Sequence, residues 1–151
     1  MKFTLAACAA ALLLSPLAFE QQAHARNDRV LISIAQALAE GKEKSKIRPE
    51  IPLFFGKSKY PAVSQKLNVL TTSRKTNAVG KSDSEACIWA FLSSVIVLQE
   101  EAHKSGGNAI VEIKSIYEQV TLDSETEFSC GAGGLMAGVK LEGTIVKMAP
   151  K

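Results

Sequence analysis

The chain has 151 residues, three cysteines and a formal net charge of +3. That is one domain's worth of chain, enough to bury an ordinary core without a metal staple, and it carries no linkers or repeats. The charge is unevenly spread: Arg26 to Lys81 holds twelve Lys or Arg against four acids, whereas Ser82 to Lys151 holds five against ten. Such a split fits either a basic surface for an anionic partner or two halves interleaved in one fold.

Residues 1–25 read as a secretory signal peptide. Lys2 gives a positive start, an apolar run extends from Leu5 to Phe19, and Ala23-His24-Ala25 offers small residues for cleavage after Ala25. A membrane anchor would need about 20 unbroken apolar residues, and Pro16 and Glu20 arrive too early. Leu5-Ala6-Ala7-Cys8 has the local look of a lipoprotein signal, but Cys8 stands at the beginning of the apolar run rather than after it. No later run is long enough to span a bilayer. Residues 26–151 are therefore expected to form a single α+β domain in the periplasm. Cleavage removes Cys8 and leaves Cys87 and Cys130, an even pair in an oxidising compartment, which predicts a disulfide. Two buried free thiols are the alternative. A bridge closing a loop of roughly forty residues would contribute about 4 kcal/mol in the chain-entropy model.

In the N-terminal half, Val30-Leu31-Ile32 suggests a short strand, Ala35 to Glu40 a short helix, Ile51 to Phe55 an apolar segment and Leu67 to Thr72 a strand. Lys42 to Arg48 and Gly56 to Lys59 are charged and loop-like. Ser82-Asp83-Ser84-Glu85 fits a capping box and Gly106-Gly107 a stop, predicting a helix from Ser82 to Ser105. At about 100° per residue, Cys87, Ile88, Trp89, Phe91, Leu92, Val95, Ile96 and Leu98 fill an arc of roughly 200°. One sheet face does not cover so wide a stripe. It calls for a second cover, either another segment or a subunit of a homo-oligomer.

After the glycines the period becomes alternating. Ala109, Val111, Ile113 and Tyr117 fall on one face of a first strand, and Thr126, Phe128 and Cys130 on one face of a second. Leu135, Ala137, Val139, Leu141 and Ile145 share a face of the last. Cys130 beside Phe128 and Cys87 at the edge of the helical arc would bolt helix to sheet.

Motifs that carry chemistry are sparse. Gly56-Lys57-Ser58 and Gly80-Lys81-Ser82 resemble the end of a phosphate-binding loop, but Ile51 and Lys75 stand where its first glycine is required. Gly80-Lys81-Ser82 reads better as a turn into a helix cap. His103, the one histidine after residue 25, lies near Gln99 and Glu100 on what reads as a solvated face. Two cysteines and one histidine do not close a tetrahedral metal site. A serine nucleophile would need a base within reach, which a pocket gathering His103, Asp123 and a serine would supply. Gly131-Ala132-Gly133-Gly134 reads as a bulge or turn needing positive φ, with an anion nest as the alternative.

Lys75-Thr76-Asn77-Ala78, the helix segment Glu85-Ala86-Cys87-x-Trp89-Ala90-Phe91-Leu92, Thr126-Glu127-Phe128-x-Cys130 and Met136-Ala137-Gly138-Val139 resemble a set of small exported bacterial proteins of unknown function. These often carry the label "excinuclease ATPase subunit", whose ATP chemistry finds no phosphate loop in this sequence. More distantly, Ser82 to Val146 resembles the periplasmic RcsF domain and YbjQ-type domains. There a helix lies on a small sheet and Asn-Ala, here Asn108-Ala109, opens a strand. Cys87 and Cys130 match one helix-to-strand disulfide of the RcsF type, while its second pair is absent.

The fold expected is two-layer α+β, RcsF/YbjQ-like, with one long helix packed on an antiparallel sheet and an additional N-terminal strand and short helix. The function expected is a non-enzymatic periplasmic binding or interaction module without cofactor or metal. Its partner would be an envelope component or protein, and not nucleic acid. Lys42, Lys44, Lys46, Arg48, Lys57 and Lys59 form the candidate surface for an anionic partner. The alternative is a redox-active or metal-handling protein that uses Cys87 and Cys130 reversibly, and such a bridge should be exposed.

Overall fold

The computed structural model describes residues 26–44 and 46–150. The signal peptide expected over residues 1–25 lies outside the described residues.

Serine side chains open both helices. β1 (Asp28–Ser33) runs directly into α1 (Ile34–Glu43), where Ser33 Oγ accepts from Gln36 N at 3.3 Å and satisfies a free donor of the first turn. β2 (Leu53–Phe55) and β3 (Val63–Asn77) follow. α2 (Asp83–Lys104) begins after Ser82, whose Oγ accepts from Glu85 N at 3.1 Å. Asp83 and Glu85 in its first turn and Lys104 in its last complement the helix dipole. Then come β4 (Ala109–Tyr117), β5 (Val120–Leu122), β6 (Glu127–Ala132) and β7 (Met136–Met148).

The seven strands form one sheet in the order β1-β6-β7-β4-β2, with β3 also on β7 and β5 on β4. β2 and β4 pair in parallel, and the other pairings are antiparallel. This corrects the expected two-layer RcsF/YbjQ-like fold of one long helix on an antiparallel sheet. The described residues are mostly β, with a seven-stranded mixed sheet and two helices. Nor is the N-terminal half an appendage. β1 pairs with β6, and β3 pairs with β7 from Val63 to Asn77, so the basic and acidic halves are interleaved in one sheet.

Bulges explain what alternation misses. Register shifts lie between Val63 and Gln65 and between Lys66 and Asn68, so β3 shows period 2 only over part of its fifteen residues. In β4 the shift falls between Val111 and Lys114, where Glu112 takes φ +55. The strand therefore changes face: Ile110 and Ile113 join the main core, while Ala109 and Val111 pack with Val146 in a second cluster under Phe54 and Tyr60. The single face expected for Ala109, Val111 and Ile113 is thus corrected. Leu135 is also corrected, since it sits in the β6–β7 turn at 73% exposure while Ala137, Val139, Leu141 and Ile145 are buried.

The main core lies between the helices and the sheet. Phe55, Phe91 and Phe128 stack from β2 through α2 to β6, with ring centroids 5.8 and 4.2 Å apart. The Cys87–Cys130 disulfide, Cα–Cα 5.9 Å, ties α2 to β6 beside them. Ser94 Oγ on α2 lies 3.2 Å from Val139 O on β7. The second cover for the wide apolar arc comes from the chain itself. Leu38 of α1 and Ile47 of the following loop pack on the core, and Gln99 clasps that loop. Its Oε1 accepts from Arg48 N, and its Nε2 donates to Arg48 O and Ile51 O, each at 2.8 Å. Gln99, expected on a solvated face, is buried because these backbone groups need a side-chain partner once covered.

Candidate functional site

Along β7, buried Ala137, Val139 and Leu141 alternate with exposed Met136, partly exposed Gly138, exposed Lys140 and partly exposed Glu142. The first set faces the helices. The second faces away from them, and there two strands bring a pair of glycines together: Gly131 of β6 stands opposite Gly138 of β7. Across β7 on its other side, Lys75 stands opposite Gly138 and Ser73 opposite Lys140. These residues, with Tyr117, line a hollow of about 400 Å³.

The absence of side chains on the two glycines makes this hollow. A Cβ on Gly131 would lie 2.8 Å from Tyr117 Cε2, and one on Gly138 would lie 3.3 Å from Lys75 Cγ. The tyrosine ring and the lysine stem therefore rest on bare backbone, which forms the floor between them. Neither glycine has positive φ. Gly131 and Ala132 continue β6, and only Gly133 and Gly134 turn. The turn expected at Gly131 to Gly134 is present only from Gly133, and the positive φ expected there is corrected, since close approach rather than backbone handedness calls for glycine at 131.

Tyr117 ends β4 in a two-residue hairpin whose central residues, Glu118 and Gln119, have φ +46 and +68, the primed turn that suits strand twist. Its hydroxyl donates to Asn27 O at 2.8 Å, and Asn27 Nδ2 donates to Glu118 Oε1 at 3.1 Å. Burial, with the nearby Glu118 charge, pushes the Tyr117 phenol above its ordinary pKa. One wall of the hollow is thus held by hydrogen bonds. On the opposite side, neither Lys75 nor Lys140 has a carboxylate within ion-pair distance among the described residues. The neighbouring cations differ: Lys114 pairs with Glu142 at 3.1 Å and Lys66 with Glu112 at 3.9 Å. The Glu118 carboxylate also lines the hollow, at the Tyr117 wall, where Asn27 holds it. On the other side, two ammonium groups without an ion-paired carboxylate can hold an anionic group over the flat floor.

Of the six basic residues singled out from sequence, Lys42, Lys46 and Arg48 line two adjoining hollows that share Ile47, Arg48 and Gln99, and Lys57 lines another. Lys44 lies 4.3 Å from the Trp89 ring centroid and 3.8 Å from Glu40, and Arg48 pairs with Glu50 at 3.3 Å. Lys42 and Lys46 each line one of the two hollows that meet at Ile47, Arg48 and Gln99. Lys57 lies elsewhere, in a hollow with Ser58, Tyr60, Glu112, Lys114 and Asp123, and Lys59 is exposed two residues beyond it. His103 is not among the residues lining that hollow, so the gathering of His103, Asp123 and a serine is not formed there. Among the described residues, no group of three His, Cys, Asp or Glu side chains is placed to hold a metal ion. No helix among them is long and apolar enough to cross a membrane.

Cys87 and Cys130 are both fully buried. A thiol attacking their bond would first need α2 to lift from β6, which supports a structural rather than a reversible bridge. Sequence reasoning missed Tyr117, Lys75 and Lys140 as a group, because they come from three strands joined only by register. The glycine-rich run was the available signal.

No family model matches the chain, and neither a curated protein nor a solved structure is significantly similar to it.

Proposed function

We propose that the chain is an exported, periplasmic, non-enzymatic binding module that takes an anionic ligand in the hollow between Tyr117, Lys75 and Lys140. One observation carries this reading: two cations that have no carboxylate partner among the described residues converge on a glycine-floored hollow, on the sheet face that neither helix covers, while the Glu118 carboxylate lining it stands at the Tyr117 wall, bonded to Asn27. An uncompensated cation beside apolar walls gains more from an arriving anion than one already paired at the surface. Export is supported by the leader-like residues 1–25 and by a buried disulfide, which suits an oxidising compartment. The likeness of the Cys87 and Cys130 segments to small exported bacterial proteins points the same way.

The test is amide-shift mapping of the mature chain, by nuclear magnetic resonance, against envelope extract separated into anionic and neutral fractions. The anionic fraction should move Ser73, Lys75, Tyr117, Gly131, Gly138 and Lys140, and the neutral fraction should leave them unmoved. Shifts confined to Lys42–Arg48 would transfer the site to the basic surface near α1. No shift with either fraction would contradict binding.

A further inference from the structure

The longest strand of the sheet is bonded on one side only. Among the described residues β3 pairs with β7 and with no other strand, so its outer edge presents unpaired backbone N–H and C=O groups over fifteen residues, a length of roughly 50 Å. Val69, near the middle, is 63% exposed. Such an edge is a template for another strand unless it is blocked.

Its charge restricts what can add. No Asp or Glu occurs from Ile51 through Ser82, whereas Lys57, Lys59, Lys66, Arg74, Lys75 and Lys81 all fall in that stretch. The two carboxylates that touch β3 both come from neighbouring strands and are already engaged, Glu112 by Lys66 and Tyr60, and Glu142 by Lys114 and Thr71. A second copy of β3 would bring its own Lys66, Arg74 and Lys75 against the same three cations of β3. Like charges placed opposite each other across a strand pair oppose pairing. An extended segment rich in Glu or Asp would instead gain both the backbone ladder and the charge pairing.

We propose that the outer edge of β3 is a docking site for an acidic, extended polypeptide segment, which adds to the sheet as an eighth strand. This goes beyond the anion site in the hollow, because the affinity comes from the backbone of β3 and the selectivity from its charges. The two sites can fail separately.

The experiment uses three capped peptides, (Glu-Val)4, (Lys-Val)4 and (Glu-Pro)4, with amide hydrogen exchange of the mature chain as the readout. (Glu-Val)4 should slow exchange at alternate residues between Val63 and Asn77. (Lys-Val)4 should not, because its charge is wrong, and (Glu-Pro)4 should not, because every second residue lacks an N–H. The exposed double variant Lys66→Glu/Arg74→Glu, checked for folding by circular dichroism, should weaken (Glu-Val)4 binding by about tenfold. Lys140→Ala, which alters only the hollow, should leave it unchanged.

Equal binding of (Glu-Pro)4 would overturn strand addition in favour of simple charge contact, and equal binding of (Lys-Val)4 would overturn the charge argument. Slowed exchange confined to Tyr117, Gly131 and Gly138 would place the peptide in the hollow and leave the edge empty. If the β3 amides are already slow without peptide and sedimentation gives twice the monomer mass, a second copy occupies the edge and the proposal fails. Absence of any protection would mean that the cations serve only to guard the edge.

Discussion

The two faces of the sheet are built from the same strands and differ in almost everything else. Toward the helices, Phe55, Phe91 and Phe128 stack, Cys87 and Cys130 are joined, and the polar side chains that enter are bonded to backbone, as Ser94 and Gln99 are. Away from them, Lys75, Gly138 and Lys140 border a hollow, and neither lysine has a carboxylate partner among the described residues. β7 belongs to both, since successive side chains point to opposite faces. The lesson is that alternate residues of one strand can serve the packed core and an open hollow, and substitutions on the two faces should separate stability from the proposed binding.

The largest effect is expected at the centre of the packed face. Phe128→Ala removes the ring stacked on Phe91 at 4.2 Å and should cost about 4 kcal/mol, read by denaturant unfolding. Removing the bridge with Cys87→Ala/Cys130→Ala should cost a similar amount, about 4 kcal/mol, because its sequence separation of 43 leaves a long loop unconstrained in the unfolded chain. The folded wild type should meanwhile resist alkylation in mild reductant, since both sulfurs are buried. Rapid labelling without unfolding would return the bridge to the redox reading.

Gln99→Ala should come next, at about 2 kcal/mol. It leaves Arg48 N, Arg48 O and Ile51 O without their partner, and exchange should rise across residues 46–52 before the sheet loosens. The smallest effect belongs to the edge where the described chain starts. Arg26 forks onto Asp83 with bonds of 2.9 and 2.6 Å, and this hydrogen-bonded pair holds the Asp83 carboxyl below its ordinary pKa. A depressed folded pKa contributes stability above the unfolded value, and the contribution is lost as pH falls through the folded one. Acidification should therefore release Arg26 and Asn27, seen as faster exchange there, and Asp83→Asn should remove that pH dependence.

Legibility in the sequence followed local chemistry. Ser82 and the glycines after α2 mark its ends because caps and stops are set within a few residues. Cys87 and Cys130 could be paired because export and an even count suffice. β3 was legible only at Leu67–Thr72, since two bulges and two mostly wet faces hide its period. The face change in β4 could not be read, because it depends on Glu112 at φ +55, a residue type without the usual preference for that backbone region. Of the six lysines and arginines chosen by density in the chain, those from Lys42 to Arg48 stay beside α1 while Lys57 lines a different hollow. Lys75 and Lys140, sixty-five positions apart in sequence, are brought together by the β3–β7 register.

The binding proposed for the face without helices rests on Lys75 and Lys140. Lys75→Ala/Lys140→Ala tests it directly, with thermal unfolding and titration by the anionic envelope fraction measured on the same samples. Both side chains are exposed and have no ion-pair partner among the described residues, so stability should stay within about 0.5 kcal/mol of wild type while binding at Tyr117, Gly131 and Gly138 disappears. Undiminished binding in a normally folded double variant would contradict it.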